Sequence, residues 1–383
     1  MTTIYLIRHA EAEGNYYRRI QGHYNSRVTA FGKKQIELLA ERFRGTPIDA
    51  VYSSDLTRTQ ETAGAILKYH PELELKPLPG LREIGMGQWE DLPWGNALYS
   101  YPEQIINFAT RPKQWSIPNC ESFLHLQARI YDTIESLARA HDGKTIAIAS
   151  HGTAIRTFLC RVLGVPLERI TEVAHGDNTA VARLSYDGGA FTAAYYNDNS
   201  HLSDEFSTFA RQAWWREEKH FSPDLASLRL VPLSLAENTK LYLDSYADSW
   251  QNAHGCLEGF RAKDCLEGAE AASRADPNCL MQACSIKGDF AGLIQLHPTY
   301  GAHEGAGWLS LIYLIPERRD KNFGVQLLGH AVSYFRAKGR RSIRLHASES
   351  NPRAISFYER EDFRRIGTEP GALGDLALME MEI

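Results

Sequence analysis

The sequence of 383 residues has little of several features that mark particular classes of protein. It has six cysteines, and no two of them are spaced as a C-x-x-C pair, which argues against zinc ribbons and thioredoxin-like motifs. No stretch approaches the roughly 20 consecutive apolar residues of a membrane-spanning helix. A formal net charge of -5 leaves no basic excess for nucleic acid or anionic membranes. We therefore expect reduced, structural cysteines and neither a nucleic-acid nor a membrane partner.

A secretory signal pattern is also lacking, because the first residues run directly into a strand-like segment. The chain shows no internal repeat and no low-complexity tract. We therefore expect a cytoplasmic protein. Its length exceeds that of one ordinary hydrophobic core, so we predict two domains.

The first half of the chain alternates between strand-like and helix-like segments. TIYLIRH, IDAVYSS, KTIAIASH and TAVARLSY are typical of strands, whereas KKQIELLAERFRG and LQARIYDTIESLARAHDG have apolar residues at helical spacing. Such alternation predicts the α/β class, with a doubly wound and mostly parallel sheet covered on both faces. We place this domain at residues 1–203.

The second half follows a segment, residues 204–226, that we interpret as a final helix and a linker. After the strand-like LRLVPL, Ser234 and Glu237 have the spacing of a capping box at the start of a helix. CLMQACSI, FAGLIQL and GWLSLIYLI then predict strands, the first two joined by a tight turn at Gly288. A helix, the strand RSIRLHAS, another helix and two strands complete an α+β domain at residues 227–383, with an antiparallel start.

Two strands of the first domain end in histidine. TIYLIRH ends in Arg8 and His9, and KTIAIASH ends in His151. Because the carboxyl ends of neighbouring strands in a doubly wound sheet meet at one crevice, we expect the two histidines to face each other. Asp55 is expected to cap a helix that carries Arg58 in its first turn, near the same edge. Two arginines beside two histidines predict a phosphate pocket.

The segment after His151, GTAIRTFLCRVLG, is predicted to be a helix. Its first amides, beginning at Gly152, would be free to bind an anion in the same crevice. We therefore expect this helix N-terminus to add to the phosphate pocket.

Four motifs occur in order in the first half of the chain: LIRHAEAEGN, SSDLTRTQETA, LREIGMGQWE and SHGTAIR. They resemble the four signatures of the histidine phosphatase (phosphoglycerate mutase-like) superfamily. The resemblance implies that His9 is the nucleophile and forms a phosphohistidine that water then hydrolyses. It also implies that Arg8, Arg58 and His151 hold the phosphoryl oxygens.

The same resemblance implies that Asn15 adds a hydrogen bond to the phosphoryl group and that Glu83 is the general acid for the leaving oxygen. No metal is implied, since arginines supply positive charge without losing a proton. The connection between Glu83 and His151 looks shorter than in the mutases of the superfamily, which favours a phosphatase acting on a small phosphate ester. A mutase-type phosphotransferase is the alternative.

Two sets of residues near these motifs have open roles. Glu11 and Glu13 follow a strand, where glutamates are usually solvated. The aromatic residues of the segment that should roof the pocket fit packing and substrate contact equally well; they are Trp94, Tyr99, Tyr101 and Trp115.

In the second domain, YLIPERRDKNFGVQLLGHAVSYFRAKG predicts a strand, a polar loop and a helix. Loop amides and a helix N-terminus suit a pyrophosphate. RRDKNFG resembles the R/Q-x-x-G-x-G/A signature of the GNAT N-acetyltransferases, aligned at Arg319, Asn322 and Gly324. The resemblance implies that these residues, with Leu314 of the preceding strand, bind acetyl-CoA.

Downstream, SESNPRAISFYEREDF resembles the second motif of that family. The resemblance implies that Asn351 bonds the pantetheine arm and that Tyr358 protonates the departing thiolate. Asn322 and Asp362 stand where the family usually has glycine. Asparagine tolerates a left-handed backbone better than most residues, so the amide cradle can survive at Asn322.

The proton acceptor for the acetyl-accepting amine is not identified by pattern. Glu304 and Glu317 are candidates, and a metal at His297 and His303 is disfavoured. The sequence predicts a bifunctional enzyme with phosphatase and N-acetyltransferase activities. Two alternatives are open for the second domain: an acetyl-CoA sensor that modulates the phosphatase, or an interaction domain. The phosphorylated substrate, the acetyl acceptor and the oligomeric state are left undetermined.

Overall fold

The computed structural model describes residues 1–211 and 226–383. The chain forms two compact units. The first unit comprises Met1–Leu92 and Ala97–Asp224, and the second comprises Pro93–Asn96 and Leu225–Ile383. Of the predicted helix and linker at 204–226, residues 212–225 lie outside the described residues.

The strands before the linker are β1 (Thr2–Arg8), β2 (Ala50–Ser53), β3 (Leu75–Pro77), β4 (Thr145–Ser150), β5 (Val181–Asp187) and β6 (Ala190–Asp198). The α-helices of this part are α1 (Glu13–Tyr16), α2 (Ala30–Phe43), α3 (Thr57–Leu67), α4 (Trp94–Ser100), α5 (Pro102–Thr110), α6 (Phe123–Ala140), α7 (Gly152–Val162) and α8 (Thr208–Arg211).

The sheet of the first unit has the strand order β3-β2-β4-β1-β5-β6. The first four strands of that order are parallel, and β5 and β6 are added antiparallel at one edge. The predicted α/β class with a mostly parallel sheet is confirmed, although the sequence did not indicate β3 or β6. Arg8 of β1 pairs with Ser150 of β4, so the next residue of each strand leaves the sheet at the same place.

Burial and capping explain the main elements of the first unit. Ile4 and Leu6 of β1 and Ile146 of β4 are fully buried, as expected for central strands of a parallel sheet. Thr29 caps α2 by accepting a hydrogen bond from the Gly32 amide at 3.0 Å.

The expected cap at Asp55 is wrong. Leu56 stands at the N-cap of α3, and its side chain makes no capping hydrogen bond. The Asp55 carboxylate is engaged by the Arg82 guanidinium in two hydrogen bonds of 2.6 and 2.5 Å. A bidentate pair with arginine is stronger than one bond to a backbone amide, and this explains the difference.

The strands after the linker are β7 (Arg229–Pro232), β8 (Leu280–Cys284), β9 (Phe290–His297), β10 (Ala306–Leu314), β11 (Ser342–Ser348), β12 (Arg364–Gly371) and β13 (Gly374–Glu382). The α-helices of this part are α9 (Leu235–His254), α10 (Ala262–Ala275), α11 (Gly324–Ala337) and α12 (Pro352–Arg360).

The sheet of the second unit has the order β12-β13-β11-β10-β9-β8-β7. Neighbours from β7 to β10 are antiparallel, whereas β10 and β11 are parallel and flank the α11 crossover. The predicted α+β class with an antiparallel start is confirmed. In the described residues, no helix is both long enough and apolar enough to cross a membrane.

The predicted capping box at the start of α9 is wrong. Ser234 does occupy the N-cap position, but its side chain makes no capping hydrogen bond. The amide of Glu237 instead donates to the carbonyl of Ser234 at 3.3 Å. Asn238 has a non-helical backbone (φ -127°, ψ 26°), so the first turn is too irregular for the reciprocal side-chain bonds of a box.

Candidate active sites

His9 follows β1 directly and is 4% exposed. Its Nδ1 lies 2.7 Å from the carbonyl oxygen of Ala10. Because a carbonyl oxygen only accepts, Nδ1 carries the proton and Nε2 keeps the lone pair. Burial, followed by the charges of Arg58 and Arg8, lowers the pKa of His9 well below its ordinary value. At neutral pH this is a neutral, oriented imidazole, as nucleophilic attack requires.

His151 follows β4 and is fully buried. The centroid of its ring lies 5.3 Å from that of His9. Nε2 of His151 lies 2.7 Å from Oγ of Ser54, whereas its buried Nδ1 has no hydrogen-bond partner among the described residues. Burial, with Arg58 next, lowers the pKa of His151 well below its ordinary value. One nitrogen is therefore fixed by Ser54, and the other remains for a ligand.

Arg8 and Arg58 are buried beside the two histidines. The terminal nitrogens of Arg58 donate to the carbonyls of Tyr24 at 2.9 Å and Gly22 at 2.7 Å. Arg8 donates to the carbonyl of Gly176 at 2.6 Å. Burial lowers the pKa of Arg58 to about 10, so the group stays charged at neutral pH.

The Nε of each of these arginines is buried and makes no hydrogen bond with any described residue. Buried polar groups are nearly always paired in folded proteins, and an unpaired cationic donor needs a reason. An anion would satisfy these two cationic donors, and the buried Nδ1 of His151 is a third nitrogen without a partner among the described residues.

The carboxylate of Glu83 lies at the N-terminus of α7. Its Oε2 accepts from the amide of Thr153 at 2.9 Å, and its Oε1 accepts from the amides of Ala154 and Ile84 at 2.9 Å each. The expectation that the first amides of this helix are free is therefore wrong for Thr153 and Ala154. These three backbone donors hold the carboxyl group of Glu83 at the N-terminus of α7.

Asn15 and Gly152 are the other two residues that were expected in the phosphate pocket. Oδ1 of Asn15 accepts from the amide of Ala12 at 3.1 Å, which leaves its NH2 group as the donor for a ligand. An ideal Cβ placed on Gly152 would lie 3.3 Å from Nε of Arg8. Glycine at this position therefore leaves room for the Arg8 guanidinium.

The aromatic residues of the segment between Glu83 and His151 differ from one another in burial. Trp115 is 3% exposed and packs against Trp89, Phe108 and Phe123, with ring centroids 5.2 to 6.4 Å apart. Trp115 is therefore part of the core. Tyr99, at 50% exposed, is open to solvent.

Glu11 is 3% exposed, so the expectation that it is solvated is wrong. Its Oε1 accepts from Oγ1 of Thr29 at 2.9 Å, and its backbone amide donates to Gln35 at 2.8 Å. Burial raises the pKa of Glu11. This carboxyl joins the loop after His9 to the start of α2.

In the second unit, β10 and β11 separate from each other. They pair from Ala306 opposite Ser342 to Trp308 opposite Arg344 and no further along their described residues, although β10 is nine residues long. A bulge interrupts β10 between Leu309 and Leu311 and increases the local twist. The two strands thus diverge and leave backbone groups that an extended polar ligand could pair.

The loop before α11 contains two left-handed residues. Asp320 and Asn322 both have φ 58°, a conformation that favours glycine and is tolerated best by asparagine and aspartate. Arg319 does not extend into this loop, because its Nε donates to the carbonyl of Leu314 at 2.9 Å and its NH2 pairs with Asp248. The loop therefore offers backbone amides, whereas the Arg319 side chain is tied back.

Gly324 is the first residue of α11, and a Cβ there would lie 3.1 Å from Cζ of Phe357. Close packing against this ring is one reason for glycine at the position. Tyr358 stacks edge-on against Phe357 and Phe363, with centroids 5.2 and 5.3 Å apart. Burial raises the pKa of Tyr358, so the hydroxyl keeps its proton at neutral pH.

Other predicted residues of the second unit have structural partners. Oδ1 of Asn351 accepts from the amide of Ala354 at 3.1 Å and so caps α12. The carboxylate of Glu304 forms an ion pair with Arg344. Within residues 1–211 and 226–383, no group of three or more His, Cys, Asp or Glu side chains is arranged to hold a metal ion.

The family model described as histidine phosphatase superfamily (branch 1) matches residues 4–199, which is more than half of the chain. This match contains all four motifs and the site around His9. The chain belongs to the histidine phosphatase superfamily. Residues 240–363 match the model of the acetyltransferase (GNAT) family. Both are enzyme families, so the prediction that the chain is an enzyme is confirmed.

Similar proteins align with the histidine phosphatase part. Phosphoserine phosphatase 1 of Hydrogenobacter thermophilus is 31% identical over 169 residues, covering 44% of this chain and 80% of that protein. The probable phosphoglycerate mutase GpmB of Yersinia pestis (strain Pestoides F) is 31% identical over 216 residues, covering 53% of this chain and 95% of that protein. The structure of Bacillus stearothermophilus YhfR superimposes with a TM-score of 0.51 at 28% identity, covering 53% of this chain and all of that chain.

Sequence reasoning missed several residues of the histidine phosphatase site. Ser54 contacts His151, and Nδ2 of Asn178 donates to the carbonyl of His9 at 2.9 Å. The carboxylate of Glu90 accepts from the amides of His23 and Tyr24 at 2.9 and 2.6 Å. Ser54 and Glu90 lie inside two of the motifs, so their polarity was visible, but no local pattern indicates which atoms they contact.

Proposed function

We propose that the first unit hydrolyses phosphate monoesters of small molecules through a phosphohistidine on His9. The observation that carries this proposal is the state of His9: Nδ1 donates to the Ala10 carbonyl, and the ring is buried and neutral between two arginines. Nε2 would attack phosphorus, forming an N–P bond while the ester O–P bond breaks. Water would then attack the phosphohistidine and release inorganic phosphate.

The surrounding donors fit the remaining roles. Arg8, Arg58 and His151 would bind the phosphoryl oxygens through the nitrogens that have no protein partner among the described residues. Phosphoryl transfer depends on such positioning and charge stabilisation. Asn15 would add its amide NH2 and Gly152 would line the site. Glu83 would protonate the leaving oxygen.

The named relatives suggest which substrates to test first. They are described as a phosphoserine phosphatase and a probable phosphoglycerate mutase, so phosphoserine and 3-phosphoglycerate are the first candidates. We favour hydrolysis over the mutase reaction. Release of inorganic phosphate from phosphoserine would support hydrolysis, whereas isomerisation of 3-phosphoglycerate without phosphate release would support the mutase alternative.

Trapping the intermediate tests the proposed mechanism. A brief incubation with substrate should leave an acid-labile, base-stable phosphoryl group on His9, seen by mass spectrometry. The His9→Ala variant should carry no such group and should not turn over. His303→Ala, at a histidine of the second unit whose side chain is 81% exposed, is the matched control. Full activity of His9→Ala, or a strict requirement for a metal ion, would contradict the proposal.

We also propose that the second unit is an acetyl-CoA-dependent N-acetyltransferase. The gap between β10 and β11 and the amides of the loop before α11 fit the extended, anionic shape of this cofactor. Leu314, Arg319, Asn322, Gly324 and Asn351 would line its site, with the loop backbone as the main donor because Arg319 is tied back. Bound acetyl-CoA supplies an activated acetyl group.

Tyr358 would protonate the thiolate that leaves when the amine attacks. Burial raises the pKa of Tyr358, so its hydroxyl keeps the proton until the thiolate leaves. An acetyl-CoA sensor that modulates the phosphatase is the alternative, and an interaction domain is a further one.

Two measurements on the full chain separate these possibilities. Isothermal titration with acetyl-CoA should show binding. With acetyl-CoA at a hundredfold excess over the dissociation constant, the free energy of unfolding of the second unit should rise by about 2.7 kcal/mol. Acetylation of an amine in a broad panel would support the transferase. Binding without acetylation would favour the sensor, and no binding would favour an interaction domain.

A further inference from the structure

Arg129 of α6 binds the backbone of the loop that carries Glu83. Its NH1 donates to the carbonyls of Gly80 and Arg82 at 3.0 Å each, and its NH2 donates to the carbonyl of Glu83 at 3.1 Å. The side chain is 19% exposed. One guanidinium thus binds three carbonyls of the same loop and ties that loop to α6.

The other N–H groups of Arg129 bind Glu121. Nε donates to Oε1 of Glu121 at 2.8 Å, and NH2 donates to Oε2 at 2.7 Å. A bidentate arginine-carboxylate pair fixes the guanidinium plane. Glu121, in turn, binds the far side of the same loop: its Oε2 accepts from the amide of Gly85 at 3.2 Å, and its own amide donates to the carbonyl of Gly85 at 2.8 Å.

This pair therefore holds the loop on both sides of Glu83. On the N-terminal side the fixed points are Gly80 and Arg82, and on the C-terminal side the fixed point is Gly85. The contacts that Arg129 makes in this loop are all to main-chain oxygens, so it acts on the Glu83 carboxylate only through the position of the backbone. A displacement of about 1 Å at a reacting group can cost roughly 10²-fold in rate.

We propose that Arg129, paired with Glu121, is a positioning residue that fixes Glu83 for proton donation to the leaving oxygen. This inference rests on the proposed role of Glu83 as general acid. It predicts a selective defect. Loosening the loop should slow mainly those reactions that need proton donation, because no hydrogen bond among the described residues joins Arg129 to Arg8, Arg58 or His151.

Two classes of ester separate proton donation from phosphate binding. Phosphoserine has a basic alkoxide leaving group that needs a proton, whereas p-nitrophenyl phosphate has a stable leaving group that does not. Arg129→Met should lower kcat for phosphoserine by about 10- to 100-fold and change kcat for p-nitrophenyl phosphate by less than about threefold. Inhibition by inorganic phosphate should be unchanged, because the phosphate donors are intact.

A double-mutant comparison tests whether Arg129 acts through Glu83. Glu83→Gln alone should slow phosphoserine hydrolysis by roughly 10²- to 10⁴-fold, the range for a general acid. Adding Arg129→Met to Glu83→Gln should cost almost nothing more, because residues that act as a unit are not additive. Arg139→Met is the matched control. Arg139 lies on the same helix and forms an ion pair with Glu135, and its side chain is 62% exposed.

Arg129→Lys and Glu121→Gln keep the test decisive if Arg129→Met does not fold. Lysine keeps the charge but cannot make the bidentate pair, so it should show a smaller loss with the same preference for phosphoserine. Equal losses on both esters, or a full further loss in the Glu83→Gln background, would overturn the inference. If Glu83→Gln itself shows no preference between the esters, the general-acid assignment is the one that fails.

Discussion

The two candidate sites of this chain differ in how completely the protein prepares them. In the first unit, His9, His151 and Arg58 are at most 4% exposed, and backbone carbonyls or Ser54 fix their orientations. In the second unit, the corresponding elements are two diverging strands and a loop with left-handed residues. The first site is built to stabilise charge by rigid donors, whereas the second offers backbone groups that a bound cofactor would pair.

The pKa values of the histidines in the two units show a similar contrast. Burial lowers the pKa values of His9, His151 and His175 well below the ordinary value and that of His201 to about 4. In the second unit, burial lowers the pKa of His254. A buried site that needs neutral imidazoles ties its stability to pH, because protonation of these groups favours the unfolded chain.

The largest expected difference between the two sites concerns their arginines, Arg58 in the first unit and Arg319 in the second. Arg58→Met should lower kcat/KM of the phosphatase by about 10²- to 10³-fold, because a buried donor to the phosphoryl group is lost. Arg319→Met should change the dissociation constant for acetyl-CoA by less than about tenfold, since its guanidinium is already held by Asp248 and Leu314. Steady-state kinetics and calorimetry measure the two effects. A larger effect at Arg319 would show that the guanidinium is released to bind the cofactor.

A second expected effect concerns Tyr358. Tyr358→Phe keeps the ring that packs between Phe357 and Phe363 and removes the proton donor. Acetyl transfer should slow by about 10²-fold, and acetyl-CoA affinity should stay the same. Phosphatase activity of the same variant is the internal control and should be unchanged. An unchanged transfer rate would mean that another group protonates the sulfur.

The pH dependence should separate the two units. The histidines of the first unit have lower pKa values folded than unfolded, so below about pH 6.5 the unfolded chain binds more protons. Stability of the first unit should therefore be retained above pH 6.5 and lost as the pH falls below it. Urea titrations at pH 7.5 and 5.5, followed by phosphatase activity and by acetyl-CoA binding, report on each unit.

His201→Gln should reduce this pH dependence of the first unit, because one group with a lowered pKa is removed. His303→Gln, at an 81% exposed residue of the second unit, should leave it unchanged. A first unit whose urea midpoint is the same at both pH values would contradict the assignment of neutral buried histidines.

The smallest expected effect lies in the loop before α11. Asn322→Gly should stabilise the second unit by less than about 1 kcal/mol, because relief of the left-handed strain slightly exceeds the added entropy of the unfolded chain. Asn322→Ala is the matched control and should destabilise it, since alanine tolerates φ 58° less well than asparagine. Thermal melting measures both. Destabilisation by glycine would indicate that the Asn322 side chain makes a contact of its own.

Local patterns were sufficient for most of the fold. The central strands are apolar runs and the main helices have apolar residues at helical spacing, so both classes of domain could be predicted. The strands that were missed, β3 and β6, lie at the two edges of the first sheet and contain no fully buried residue. An edge strand has little contrast between apolar and polar positions, so its pattern is weak.

The sequence by itself also determined which residue types gather around His9, because the polar residues that end β1 and β4 must leave the sheet together. Only the tertiary structure decided how their atoms are paired. Glu83 takes the helix amides that were expected to be free, and Arg129, 46 positions away from Glu83, binds its carbonyl. A hydrogen bond between distant residues depends on the distance and angle that packing creates, and no local period of the sequence contains that information.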